Sequence, residues 1–265
     1  MTSRLYPRML AVLLVPGALC VAAFGQAPCI GLPGHDALQA ALKGAVSLTG
    51  GNGGLSNNMW GTIVNRDGVV CVVAFTGSDR GSQWPGSRVI SAQKANTANA
   101  FSLPGLALST ANLFTAVQPG GSLYGLQHSN PVDTGVAYGG QAENNGQSND
   151  FMAGHKIGGV NVFGGGLPLY TASGTLVGGL GVSGDTSCTD HIVAWKTRAA
   201  LKLDDVPKGV APGATNGTDN IIFDIAPDAN GHPVSASGFG HPVCDATAKA
   251  VANSLPMAFP VGSHP

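Results

Sequence analysis

The chain has 265 residues, of which 43% are hydrophobic and only 10% charged, and its formal net charge is −1. That balance argues against a nucleic-acid partner. The apolar content excludes, for most of the chain, disorder of the low-hydrophobicity, high-charge kind.

At the N-terminus, Arg4 and Arg8 precede the largely apolar run Met9 to Phe24 and small residues ending in Gly25-Gln26-Ala27. This is the order of an export signal, so residues 1–27 are read as a signal peptide, cleaved after Gly25 or Ala27. Pro16 and Gly17 interrupt a run already short for a span of about 20 residues, and no stable membrane span is expected. Leu19 stands before Cys20 where a lipoprotein signal has a small residue, so Cys20 is expected to leave with the leader. The mature chain keeps 11 Lys and Arg against 14 Asp and Glu, about −3, and a periplasmic or secreted location is expected. Four cysteines remain, Cys29, Cys71, Cys188 and Cys244. An even count in an exported chain points to two disulfides, and three connectivities are open. The preferred pairing joins Cys29 to Cys244 and Cys71 to Cys188. No Cys-x-x-Cys spacing is present.

Asp36 is expected to cap a helix to about Leu48, with Leu38, Ala41, Leu42 and Ala45 on its apolar stripe. Two β-rich runs follow, Trp60 to Asn65 and Val69 to Phe75. The Arg66-Asp67-Gly68 between them is a hairpin signal of the type I′ kind, in which both central residues need φ > 0. Apolar residues on both faces of the second run predict a covered, central strand. Ser87 is expected to cap a helix from Arg88 to about Phe101, whose Ala92, Ala95 and Ala98 permit close backbone approach. A short helix is expected around Ser109 to Val117. Residues 118–160 are rich in Gly, Asn, Ser and Gln without periodicity and are read as an insertion, because loops of that length are functional lids, binding loops or disordered. A second hairpin covers Gly164 to Val182, its glycines leaving room for a ligand or another backbone. Ser187 to Leu203 reads as a helix with Cys188, Ile192, Trp195 and Ala199 on one face. Residues 204–265 form a Pro- and Gly-rich extension expected to wrap the domain.

The order helix, hairpin, helix, hairpin, helix describes an α+β fold in which helices flank an antiparallel sheet. The helix segment Ala92-Gln93-Lys94-Ala95-Asn96-Thr97-Ala98 resembles that of the GlcG/HbpS-type haem-binding family. So do Gly165-Gly166-Leu167-Pro168-Leu169 and Val177-Gly178-Gly179-Leu180-Gly181-Val182-Ser183-Gly184 in the second hairpin. The match runs over about residues 35–115 and 163–203, within a domain of residues 28–203. The resemblance implies a profilin-like sheet, a homo-oligomer and a haem or related tetrapyrrole ligand. The insertion is much longer than that family's own connection at this point, and the family core has no counterpart to the extension.

A haem site needs an apolar slot, an iron ligand and cations or hydroxyls for the propionates. Lys94 and Thr97, on the family-like helix, are the expected pocket residues, with Gly165, Gly166 and Ser183 of the second hairpin. Against this stand a solvated Lys94 and a Thr97 bonded back to its own helix. His35 is the favoured iron ligand because it begins a regular helix, and His155 is kept as a lid ligand or acid/base group. His128 lies in the insertion, His191 reads as structural, and His232 and His241 could form at most a weak metal site. No catalytic motif is readable, since Asp79, Glu143 and Asp150 stand isolated in loops. The expected function is therefore an exported haem-binding carrier, scavenger or sensor module. An enzyme acting on haem or another small aromatic molecule, and an accessory structural protein, are the alternatives.

Overall fold

The computed structural model describes residues 29–48, 51–213 and 215–262; the expected signal peptide, residues 1–27, lies outside them. Helix α1 (His35–Ser47) begins at Gly34 rather than Asp36, which sits in the first turn where a carboxylate meets the positive end of the helix dipole. Its Leu38, Leu42 and Ala45 are buried. Strands β1 (Trp60–Asn65) and β2 (Val70–Phe75) form the first hairpin. Its turn departs from type I′, because Gly68 has φ +76° while Asp67 is not among the residues of positive φ. Asn65 instead organises a three-residue loop, its side chain accepting from the N–H groups of Asp67 and Val69 at 3.0 Å each.

Helix α2 (Ser87–Phe101) has Gly86 at its N-cap, with no side-chain cap bond, so Ser87 is its first residue. Two 3-10 turns, Thr110–Leu113 and Thr115–Val117, stand where one short helix was expected. Strands β3 (Gly166–Tyr170) and β4 (Leu176–Ser183) complete an antiparallel sheet in the order β2-β1-β4-β3. Strand β2 is thus an edge strand rather than a central one. It is covered all the same, because Val70 exchanges backbone hydrogen bonds with Gly154 and His155 at 2.8 Å each. The insertion thus pairs with the Val70 end of that edge, shortening the template for unwanted pairing.

The insertion carries a one-turn helix, α3 (Thr134–Ala137), and a 3-10 turn at Ala142–Asn144. Its Ala137, Met152 and Ile157 pack with Trp60, Val73 and Ala92 on the α2 side of the sheet. Helices α1 and α4 (Ser187–Ala200) cover the other side, over Ile63, Leu167 and Leu180. The approach of α2 to β4 explains the glycines of the second hairpin. A Cβ on Gly179 would collide with the carbonyl of Ala95, and one on Gly181 with that of Ser91. The room left by these glycines is filled by helix backbone.

The extension contains a small hairpin, β5 (Ile225–Pro227) and β6 (Pro233–Ser235), and a helix the sequence reading missed, α5 (Ala246–Ala258). Asp245 caps α5 by accepting from the Ala248 N–H at 2.8 Å. Ile221, Ala248, Ala252 and Leu255 are buried with Ile192 and Trp195 of α4. The disulfides are Cys29–Cys71 and Cys188–Cys244, and the expected pairing of Cys29 with Cys244 and Cys71 with Cys188 is corrected. The reason lies in the packing. Residues just before α1 lie against β2, and the segment leading into α5 lies against the start of α4, so each bridge ties neighbours in space.

Candidate functional site

Three buried ion pairs link the segments of the fold. Arg88 of α2 holds Asp150 of the insertion in a two-pronged pair at 2.8 and 2.5 Å. Lys94 of α2 meets Asp190 of α4 at 2.7 Å. Arg198 of α4 meets Asp219 of the extension at 2.5 and 2.8 Å. Asp150, read as an isolated loop carboxylate, is therefore a structural anchor, and it also accepts from the N–H groups of Gly146 and Met152.

These pairs change the reading of the expected pocket. Lys94 is 1% exposed and donates to the Val182 carbonyl as well as to Asp190. Burial pushes its ammonium below the ordinary lysine value, opposed by the Asp190 charge. The same burial raises Asp190 to about 6, opposed by Lys94. Thr97 donates to the Gln93 carbonyl and accepts from the Asn161 N–H, at 2.7 and 3.0 Å. Gly165, Gly166 and Ser183 are buried beside them, a Cβ on Gly166 meeting the Lys94 carbonyl at 2.5 Å. In this fold these five residues belong to the contact of α2 with the second hairpin, and the cation expected at a pocket wall is paired inside the core.

The two candidate iron ligands do not converge. The His35 Nε2 lies 2.9 Å from the carbonyl of Gly146, and the Nδ1 lies 3.1 Å from Asp36; a Cβ on Gly146 would meet Phe75, so this is the Phe75 end of β2. His155 pairs through its backbone with Val70 at the other end, about five residues or roughly 17 Å away. Its ring is exposed and stacks on Phe151, 5.1 Å between centroids. His191 is fully buried, and desolvation lowers it to about 3. His241 lies 2.7 Å from Ser187 Oγ through Nε2 and 2.7 Å from the Pro242 carbonyl through Nδ1, and burial lowers it to about 4. Its nearest potential metal-ligand neighbours, Cys188 and Cys244, are joined as a disulfide and offer no thiolate. His232 is exposed beside Asp228.

The cleft best suited to an apolar ligand lies elsewhere. A groove of about 520 Å³ runs between α1 and α4 and is closed at one end by Phe259 and Pro260. Ala40, Ala41 and Gly44 of α1 face Ala199 and Ala200 of α4, so its walls are low and flat. Lys196, 6% exposed, enters from α4 and donates to Asn52 Oδ1 at 2.6 Å. Burial lowers its ammonium below the ordinary lysine value. Asn52 in turn donates to the Ala45 carbonyl at the end of α1. Among the described residues, no histidine lines this groove. His35, nine positions before Gly44 at about 100° per residue, lies on the opposite side of α1. A second cleft, about 450 Å³, lies between α5 and residues 211–223 and has no charged lining residue.

The profile of a family described as "Haem degrading protein HbpS-like" matches residues 36–199. The chain belongs to the HbpS-like family. Solved structures similar to this HbpS-like chain include PduOC in complex with haem, 26% identical over 64% of this chain and 94% of that one, with a TM-score of 0.43. Another is the Klebsiella pneumoniae protein ORFY, 24% identical over 63% and 86%, with a TM-score of 0.42. A double mutant of Streptomyces reticuli HbpS is 19% identical over 74% and 99%, with a TM-score of 0.40. A search of curated proteins finds no match. The family match ends at Ala199 in α4, so the extension that supplies Phe259 and Pro260 to the groove lies outside it.

Proposed function

We propose that this chain is an exported, non-catalytic binding protein for haem or a related tetrapyrrole, acting as a carrier, scavenger or sensor module. The observation that carries the proposal is the HbpS-like family match across residues 36–199. The groove between α1 and α4 supports it, having a volume within the range of small-molecule sites and a largely apolar lining. The donor set there suits a macrocycle held by its faces and one propionate: Ala40, Ala41 and Gly44 would lie against the ring, and Lys196 would take the carboxylate. Iron, when the macrocycle carries it, supplies the visible spectrum by which binding is followed. The two disulfides and the leader-like N-terminus favour an oxidising compartment outside the cytoplasm. No helix among the described residues is long and apolar enough to cross a membrane.

Turnover is the second reading, because the family's own description names haem degradation. Catalysis needs a free acid or base within reach of a bound ligand. Asp150 is locked to Arg88, and His155 lies on the exposed side of the β2 edge. Binding is therefore the better account. The test is a time course of the hemin complex with a reductant and oxygen present. A Soret band that persists supports the binding module, and steady bleaching faster than that of free hemin would establish an enzyme.

A further inference from the structure

We infer that the α1/α4 groove is a site for an apolar ligand bearing a carboxylate, which docks on Lys196 Nζ while the ligand's body lies on Ala40, Ala41, Gly44 and Phe259. The inference rests on the haem-binding reading for one source of such a ligand, a tetrapyrrole propionate. The same chemistry would accept a long-chain fatty acid, and the two sources are separable by experiment.

The argument begins with an imbalance of charge. The other buried cations, Arg88, Lys94 and Arg198, each face a buried aspartate. Lys196 faces none among the described residues; its hydrogen-bond acceptor is the neutral Asn52 amide, and the Phe259 ring stands 5.9 Å away. Asn52 connects it to the carbonyl end of α1, but a helix terminus supplies only about half an elementary negative charge, and that falls off within a turn. A buried charge without a full partner is costly, and this one opens onto an apolar groove. A ligand carboxylate would complete the ion pair that the fold has left half made.

The walls select the rest of the ligand. Apart from Leu48 and Lys196, no groove residue of α1 or α4 carries more than a Cβ, so a flat or extended body can lie close to both helices. Gly44 is the informative position. A Cβ built there meets nothing within 4 Å, and its φ is not in the left-handed region, so the helix tolerates a side chain that the ligand would not. Because Phe259 and Pro260 come from the extension, this site is a property of this chain rather than of the HbpS-like core.

The test uses the mature, disulfide-bonded protein and three probes: protoporphyrin IX, its dimethyl ester and hexadecanoate. The wild type should bind the free acid at least about tenfold more tightly than the ester, and Lys196→Met should weaken the acid roughly 10- to 100-fold while leaving the ester unchanged, since a charge-assisted hydrogen bond is lost and the apolar stem is kept. Gly44→Leu should weaken every ligand the groove takes, with an unchanged or raised melting temperature showing that the fold is intact. Hexadecanoate binding that is lost in Lys196→Met, with no porphyrin binding, supports this inference and sinks the tetrapyrrole reading. Porphyrin binding that ignores both substitutions, or that is equal for acid and ester, overturns this inference and leaves the family reading standing.

Discussion

Asp150→Asn should destabilise the protein by about 3 kcal/mol and loosen the insertion. Asp150 is fully buried and accepts four hydrogen bonds: two from Arg88, at 2.8 and 2.5 Å, and two from the backbone N–H groups of Gly146 and Met152, at 2.7 and 2.9 Å. Asparagine fits the space but brings no charge and one acceptor oxygen in place of two. The Arg88 guanidinium stays buried, 4% exposed at its side chain, and keeps the Ala137 carbonyl at 2.8 Å and one bond to the amide oxygen, but no opposite charge. Breaking one side of a buried ion pair costs about 3 to 5 kcal/mol because the other charge is left behind; retained amide hydrogen bonds place Asn at the low end. That is a large share of a typical domain stability of about 5 to 15 kcal/mol. Urea unfolding of the oxidised protein measures it, and limited proteolysis between Tyr138 and His155 reports on the insertion. A loss under about 1 kcal/mol with an equally resistant insertion would refute the role given to the pair.

Gly181→Ala should cost more than about 3 kcal/mol, because its Cβ would overlap the Ser91 carbonyl and force α2 off the sheet; a thermal melt checks this, and a mild effect would mean that α2 does not sit on β4. Removing the Cys188–Cys244 bond by the paired Ala substitution opens a 56-residue separation and should cost up to about 4 kcal/mol on the chain-entropy estimate, with α5 becoming sensitive to protease before the sheet does. Stability should fall as pH drops below about 6.5. The folded state holds His191 and His241 near 3 and 4 while the unfolded chain takes up protons at the ordinary value, a loss of about 1.4 kcal/mol per pH unit for each histidine. Asp190, raised to about 6, acts in the opposite sense, so the diagnostic is the difference: His241→Asn should flatten the slope between about pH 6.5 and 4, and an unchanged slope would contradict the buried neutral imidazole.

The regular elements of the family-like core were legible because their patterns are local. The stripe of Leu38, Leu42 and Ala45, the β-rich runs on either side of Gly68 and the glycine hairpin each announce themselves within a dozen residues. What escaped was decided over long distances. Nothing near Lys94 in sequence indicates that Asp190 neutralises it, and nothing near Asp150 indicates Arg88. The glycines at 179 and 181 were read as room for a ligand or a backbone, and only the placement of α2 chooses between them. Helix α5 was missed because Pro256 and the Pro- and Gly-rich residues before it dominate the composition, although Asp245 followed by Ala248, Ala252 and Leu255 at helical spacing carried the signal. The disulfide pairing depended on which segments pack together, and the groove could not be seen before α1, α4 and Phe259 were brought to one place.

The central claim, that this HbpS-like chain binds a tetrapyrrole, is tested most directly by titrating the mature protein with hemin and following the Soret band. A shifted band that saturates near one equivalent per chain, and that weakens in Gly44→Leu with the fold intact, is the predicted result. A linear, unsaturating response identical to that of an unrelated disulfide-bonded protein would contradict it.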